Sequence, residues 1–185
     1  MTKSSWIVGM VMMSLAGVVG ASDGASELSH LRLIASLDRP SDGYCFDIPG
    51  PGGGPGLEVP LFAHNCKSAL TADSAVLFGS GGQLSFPAVS RCVTVAGINS
   101  KALPGAALML RPCGKRGVFY ERSALQRFEL SEDGQLRLAD SDLCVTVGSR
   151  SAATYSVQDR WRTLYVEDCE AAEPARARWT LSPPR

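Results

Sequence analysis

Length, composition and charge limit the classes of protein that this sequence can encode. The chain has 185 residues, with 18 Lys+Arg, 18 Asp+Glu and 19 glycines. A chain of this length fits one domain with a single sizeable core. The balanced charge argues against nucleic-acid binding, which usually needs a strongly basic face. The generous glycine content suits a turn-rich, all-β protein.

The N-terminus has the pattern of a secretory signal peptide. Lys3 supplies a positive charge, residues 6–19 are almost wholly apolar, and Val19-Gly-Ala21 provides small residues at the usual cleavage spacing. We therefore expect residues 1–21 to be removed and the mature chain to be secreted or periplasmic. An uncleaved anchor is the alternative, although the run is short against the roughly 20 residues of a membrane span. Because no later stretch is long and apolar enough, the cleaved chain is not expected to be an integral membrane protein.

Residues 22–40 are predicted to form a lead-in to a domain at 41–183. The lead-in is polar at first, and its apolar residues fit either a short amphipathic turn or a first strand. These residues are Leu28, Leu31, Leu33, Ile34 and Leu37.

Six cysteines divide the domain into three similar copies of about 50 residues, a period typical of repeat architectures. Behind a signal peptide they indicate an oxidising compartment and three disulfides. The intervals from 45 to 66 and from 92 to 113 are both 21, and that from 144 to 169 is 25. These matching separations favour the local pairs Cys45–Cys66, Cys92–Cys113 and Cys144–Cys169. Each would close a loop whose cross-link contributes roughly 3 kcal/mol of stability.

Short alternating runs predict strands in every copy, and glycine turns separate them. The predicted strands are Tyr44–Ile48, Glu58–Phe62, Ala75–Phe78 and Gln83–Phe86 in the first copy; Arg91–Ala96, Ala107–Arg111, Gln126–Leu130 and Gln135–Leu138 in the second; and Leu143–Gly148, Arg162–Val166 and Arg178–Leu181 in the third. These eleven short strands, one fewer than three quartets, predict an all-β fold that closes into a β-trefoil, which removes exposed sheet edges.

The chain resembles the ricin-type (R-type) β-trefoil lectins over roughly residues 40–182. The resemblance lies in Cys45-Phe-Asp-Ile48, in the later Cys-Val-Thr-Val copies, and in Gln126-Arg-Phe128 and Ala177-Arg-Trp179 at the positions of the family's Gln-x-Trp core motif. In the first copy the motif is degenerate and reads Ser74-Ala-Val76. In an alternative register, Phe78 would take the position of the motif's tryptophan.

The resemblance implies one sugar pocket, in the first copy. Asp47 takes the position of the family's hydroxyl-binding aspartate, His64 that of the stacking aromatic with Phe62 as the other nearby ring, and Asp73 that of the family's Asn or Asp. Ser74 replaces the motif's glutamine. Each of these residues could instead have a purely structural role. Asp47 could hold its turn through backbone hydrogen bonds, His64 could pack against its neighbours or lie on the surface, and Asp73 could be a solvated loop carboxylate.

The other two copies are expected to bind no sugar, because threonines replace the aspartate. Their changed positions are Thr94, Arg111 and Leu125 in the second copy and Thr146, Glu167 and Arg176 in the third, where Tyr165 could stack if the longer loop shifts the register. The glycine-rich run 49–56 lacks the Lys-Ser/Thr and helix of a phosphate-binding loop, so a flexible pocket rim is expected. The basic clusters at 115–116 and 160–162 are interleaved with acids and are expected to be solvated.

These patterns predict a secreted, non-enzymatic lectin-like module whose partner is a glycan or glycoconjugate. No catalytic constellation is recognisable, and no cofactor or metal is implied. The alternative is a degenerate trefoil that binds protein or a surface without binding sugar.

Overall fold

Alternating side chains and glycine turns produce short antiparallel strands throughout the chain. The computed structural model describes residues 27–50, 54, 56–114 and 123–184. In these ranges the strands are β1 (His30–Leu33), β2 (Tyr44–Asp47), β3 (Phe62–Asn65), β4 (Leu77–Phe78), β5 (Leu84–Phe86), β6 (Arg91–Val95), β7 (Leu108–Arg111), β8 (Phe128–Leu130), β9 (Leu136–Leu138), β10 (Leu143–Val147), β11 (Ala152–Ala153), β12 (Arg160–Asp168) and β13 (Trp179–Ser182). Two 3₁₀ helices (Pro87–Val89 and Ser123–Gln126) and one short helix, α1 (Pro174–Ala177), complete the described elements.

The strands form a threefold repeat. The pairs β2–β3, β6–β7 and β10–β12 each contain an opening cysteine in their first strand, while β4–β5, β8–β9 and β13–β1 alternate with them. The predicted pairs Cys45–Cys66, Cys92–Cys113 and Cys144–Cys169 are all bonded. The predictions of an all-β trefoil and of its disulfides are confirmed.

Equivalent backbone hydrogen bonds in the three copies fix the register of the degenerate core motif in the first copy. The amide of Phe128 donates to Gly82 at 2.7 Å and that of Trp179 donates to Gly134 at 2.6 Å. The amide of Val76 makes the equivalent bond to Ser29 at 2.9 Å, and its side chain is fully buried. Val76 is therefore the counterpart of Phe128 and Trp179, which rules out the register on Phe78.

The core draws apolar side chains from all three copies. Trp179 packs edge-on against Phe46 with ring centroids 4.8 Å apart, and its indole N–H donates to the Val145 carbonyl at 2.8 Å. Both rings are almost completely buried. The single intact tryptophan of the three core motifs therefore serves packing, which is the role that the resemblance implies for it.

The described part of the lead-in, residues 27–40, contributes a strand to the barrel, so the barrel begins before the expected domain boundary at residue 41. Strand β1 pairs with β13 along its whole length, and Arg32 lies opposite Cys45 of β2. Leu31 and Leu33 are fully buried. The apolar residues of 28–37 therefore include the twelfth trefoil strand, the second of the two possibilities that their pattern allowed.

Two further predictions about local structure are wrong. Strand β3 occupies Phe62–Asn65 and not Glu58–Phe62, because Pro60 has no N–H to give to a ladder. Arg162 is buried, whereas the cluster at 160–162 was expected to be solvated. The second basic cluster, at 115–116, and the leader at 1–21 lie outside the described residues.

Arg162 is buried, and its two terminal guanidinium nitrogens are paired with polar groups. Its guanidinium donates to Asp38 at 2.6 Å and to the Gly148 carbonyl at 2.7 Å, and it lies 5.1 Å from the ring centroid of Tyr44. Burial would raise the pKa of Asp38, but hydrogen bonds from Arg162, Ser151 and Tyr44 outweigh it and hold that pKa well below its usual range. This network fastens the segment before β2 to strand β12 of the third copy.

Candidate functional site

Three neighbouring strands place three of the predicted site residues, Asp47, Phe62 and His64, on one face of a sheet. Asp47 of β2 lies opposite Phe62 of β3, and on the other side of β3 Trp161 of β12 lies opposite His64. Because side chains alternate across a strand, Phe62 and His64 share a face, and the paired Asp47 and Trp161 share it with them. The face is therefore shared between the first and the third copies.

A lysine joins the two predicted carboxylates. The ammonium of Lys67 lies 2.9 Å from Oδ2 of Asp47 and 2.7 Å from Oδ1 of Asp73. Lys67 directly follows Cys66, so the first disulfide fixes the start of its side chain. Thr71 donates a hydroxyl bond of 2.6 Å to Asp73. We call Asp47, Lys67 and Asp73 the polar triad.

The members of the polar triad differ in their exposure to solvent. The side chain of Asp47 is only 4% exposed, against 31% for Lys67 and 35% for Asp73. Asp47 therefore forms the base of the triad, and the other two present their polar atoms to solvent. Both contacts of Asp73 use Oδ1, so its Oδ2 can accept a further hydrogen bond.

Burial and charge shift the pKa values of the polar triad in different directions. Burial raises the pKa of Asp47 to about 7, against the attraction of Lys67 and with the help of repulsion from Asp73. At Lys67 burial acts to lower the pKa, but the two carboxylates outweigh it and raise that pKa. At Asp73 the bonds from Lys67 and Thr71 outweigh burial and lower the pKa. At neutral pH, Lys67 and Asp73 are thus charged, while Asp47 is close to its titration point.

Aromatic rings continue the face away from the polar triad. Phe62 packs edge-on against His64 at 5.5 Å and against Trp161 at 6.1 Å between centroids. Burial, followed by the nearby Lys67, lowers the pKa of His64, so this ring is neutral at pH 7. Its Nε2 lies 3.5 Å from the hydroxyl of Thr154.

The hairpin β11–β12 of the third copy is anchored to the first copy. The side-chain amide of Asn65 donates to Asp42 at 2.7 Å and to the Gln158 carbonyl at 2.9 Å. Its oxygen accepts the backbone N–H of Arg160 at 2.7 Å. The turn between the two strands is closed by a bond of 2.8 Å from the amide of Thr154 to the carbonyl of Asp159. These bonds hold Trp161 in place beside β3.

A cavity of about 1190 Å³ lies over this face. Its lining is mostly apolar and includes the polar triad, Phe62 and His64, together with residues from the other two copies. The latter are Gly105, Ala107, Thr154, Tyr155, Asp159, Trp161, Thr163, Leu164 and Tyr165. Pro49 and Gly50 line it as well, while residues 51–53 and 55 of the expected rim lie outside the described ranges.

The equivalent positions of the other copies are occupied by internal hydrogen bonds. Thr94 accepts a bond of 2.9 Å from the side-chain amide of Gln126, which also bonds to Pro112 and Gly114. Thr146 donates to the Arg176 carbonyl at 3.1 Å. The hydroxyls that replace Asp47 are thus used within the fold.

Sequence reasoning assembled part of this site. It named Asp47, Phe62, His64 and Asp73, all of which line the cavity. Ser74 is buried, and its hydroxyl lies 2.7 Å from that of Thr71 and closes the preceding turn.

The residues that sequence reasoning missed are Lys67, Tyr155 and Trp161. The sequence signal for Lys67 was its position next to Cys66. For the other two it was the longer interval between the cysteines of the third copy, 25 residues against 21.

The described part of the chain contains neither a candidate metal cluster nor a membrane-spanning helix. No group of three or more His, Cys, Asp or Glu side chains there could hold a metal ion. No helix there has the length and apolar character needed to cross a bilayer.

Known structures share this architecture, although no protein-family model and no curated protein matches the sequence. The agglutinin of Abrus precatorius aligns with a TM-score of 0.58 and 16% identity over 88% of this chain, which spans only 51% of the agglutinin. The β-trefoil lectin of the Vibrio vulnificus hemolysin/cytolysin, solved with N-acetyl-D-lactosamine, gives 0.53 and 18%, covering 86% of this chain and 98% of that one. The C-half of an earthworm R-type lectin, solved with GalNAc, gives 0.54 and 9%, covering 84% and 97%. The resemblance to ricin-type lectins therefore extends from sequence motifs to structure, and the chain has the β-trefoil fold.

Proposed function

We propose that this chain is a secreted carbohydrate-binding module with one sugar pocket, in the first copy. The observation that carries the proposal is the cavity that brings the polar triad together with the rings of Phe62 and Trp161. A sugar presents hydroxyls at its edge and apolar C–H groups on its face. Charged groups bond strongly to hydroxyls, and flat rings cover apolar faces with little loss of entropy.

The exposures of the polar triad suggest how the roles divide. Lys67 donates to a sugar hydroxyl, and Asp73 accepts from one through Oδ2. Asp47, with its side chain only 4% exposed, holds the ammonium of Lys67 in position from below. Secretion is supported by the signal-like N-terminus and by three disulfides, which are typical of oxidising compartments.

A glycan array tests the proposal. It should present GalNAc- and N-acetyl-D-lactosamine-terminated glycans among others, since neighbouring folds were solved with these sugars. One shallow site gives affinities near the millimolar end, about 4 kcal/mol, so multivalent display is required. We expect binding by the wild type and at least a tenfold loss in Asp47→Ala and in Asp73→Ala.

The matched control is Asp133→Ala. Asp133 is also a loop carboxylate, accepts a bond from the hydroxyl of Ser131 and pairs with Arg178 at 3.1 Å, but it is not among the residues that line the cavity. It should leave binding unchanged. If the folded wild type binds no glycan, or if binding survives both triad substitutions, the proposed pocket is wrong. The former result would favour the degenerate trefoil that binds protein or a surface.

A further inference from the structure

The cavity is larger than one sugar ring requires. Its volume of about 1190 Å³ exceeds the range of roughly 300–1,000 Å³ that is usual for pockets holding drug-sized ligands. A single hexose at the polar triad would leave most of this space open. The volume of the cavity therefore indicates a ligand longer than one sugar unit.

The direction in which the cavity extends is set by strand β12. Trp161, Thr163 and Tyr165 alternate along it on the cavity side and all line the cavity. Four residues of strand rise about 3.3 Å each, so the row from Trp161 to Tyr165 is about 13 Å long. This row runs away from the first copy towards Ala107, which is bridged to Tyr165. The row offers apolar surface that a single sugar ring bound at the polar triad could not reach.

The tip of the β11–β12 hairpin adds a further ring. Tyr155 is 82% exposed and lines the cavity. The hairpin that carries it is held by Asn65 and by the pairing of Ala152 with Trp161, so little ordering is needed when a ligand binds. An exposed aromatic ring on an anchored hairpin is suited to stack on a second sugar unit.

The charge of the cavity restricts the ligand further. In the described ranges the acidic side chains that line it are Asp47, Asp73 and Asp159, and its one lysine is Lys67. Because Asp47 is close to its titration point at neutral pH, the two acids Asp73 and Asp159 and part of Asp47 oppose one base, and the lining is net negative. The ammonium of Lys67 is already shared between two of these acids. A glycan that carries a carboxylate or a sulfate would meet like charge there.

We propose that the ligand is a neutral oligosaccharide of two or more units that spans the first and third copies. Its terminal unit lies at the polar triad, and the following units lie along Trp161, Tyr165 and the tip of the hairpin at Tyr155. This inference rests on the proposed function and adds the length and charge of the ligand to it.

Calorimetric titration with a graded set of free glycans tests the inference. For each of galactose, GalNAc, glucose and mannose as terminal sugar, the set contains a monosaccharide, a disaccharide and a neutral tetrasaccharide, with sialylated forms of the galactose series. We expect the tetrasaccharide to bind about tenfold more tightly than the monosaccharide. The sialylated form should bind more weakly than its neutral parent.

Two variants locate the gain. Trp161→Ala and Tyr155→Ala should each bind the tetrasaccharide severalfold more weakly and the monosaccharide nearly unchanged. Ile98→Ala is the control, since Ile98 is 71% exposed and not among the lining residues. Tyr155→Ala alters no core contact, so it remains informative if Trp161→Ala fails to fold.

The outcomes separate this inference from the proposed function. Equal affinities for monosaccharide and tetrasaccharide, with both lost in Asp73→Ala, would overturn the inference and leave the proposed function intact. Tighter binding of the sialylated form would overturn its charge component. No binding of any glycan would overturn both.

Discussion

Replacing Lys67 by methionine should change how stability depends on pH. Asp47 has a folded pKa of about 7, raised by burial above its ordinary 3.8. A carboxyl with a raised pKa contributes stability that is fully present below 3.8 and is lost as pH rises to 7. Above pH 7 Asp47 is ionised in both states of the wild type, so it adds no further slope. Without the Lys67 ammonium 2.9 Å away, its folded pKa rises above 7.

The magnitude follows from one proton. In Lys67→Met the folded protein holds a proton on Asp47 that the unfolded chain has released. The free energy of unfolding then falls by at most about 1.4 kcal/mol per pH unit above pH 7, so the loss between pH 7 and 8.5 is at most about 2 kcal/mol. At pH 4.5 Asp47 is protonated in both folded proteins. The difference there reduces to the partly exposed contact with Asp73, about 0.5 kcal/mol.

Urea unfolding followed by tryptophan fluorescence at pH 4.5, 7 and 8.5 measures this effect. Lys101→Met is the control, because Lys101 is an exposed lysine far from the polar triad in sequence. It should reproduce the pH dependence of the wild type. An equal loss of stability in Lys67→Met at pH 4.5 and 8.5 would show that Asp47 does not hold a raised pKa.

Three further predictions concern the scaffold, and each is measured by urea unfolding. Asp38→Asn should destabilise the fold by about 2 kcal/mol, because the buried guanidinium of Arg162 loses its charged partner. Glu129→Gln, in an exposed ion pair, should cost under about 0.5 kcal/mol. Equal effects of the two substitutions would contradict the importance of the Asp38–Arg162 network. Gln126→Leu should lower the free energy of unfolding by about 2 kcal/mol, because three hydrogen bonds are lost. It should create no sugar binding in the second copy. A gain of glycan binding would show that this glutamine blocks a working pocket. The double variant Cys92→Ser, Cys113→Ser should lose roughly 3 kcal/mol, and unchanged stability would show that this bridge does not constrain the unfolded chain.

The parts of the fold that could be predicted are those encoded within one copy. Cys45 and Cys66 stand at a spacing that recurs in the next copy, and strands with apolar alternation flank them. Local pairing of this kind depends on residues close in sequence. Asp47, Phe62, His64 and Asp73 were named from the resemblance to ricin-type lectins, whose motif positions all lie within the first copy.

The parts that could not be predicted depend on contacts between copies. Trp161 reaches the site because β12 pairs with β3, and nothing in either strand alone specifies that partner. Lys67 is an exception, because its bond to Asp47 lies within the first copy, but 20 residues of chain separate the two and neither position indicates the other. Strand β1 was left ambiguous because its long pairing is with β13, at the opposite end of the chain.

The candidate site therefore depends on the same contacts that close the trefoil. Strand β12 presents Trp161 to the cavity, while the neighbouring Arg162 points to the other side and binds Asp38 at 2.6 Å. The side chain of Asn65 binds both Asp42, ahead of β2, and the hairpin that carries Tyr155. The packing of the first copy against the third thus aligns the row from Trp161 to Tyr165 with the polar triad. It follows that an isolated first copy would keep the residues of the triad but would lack the surface on which a longer glycan could lie.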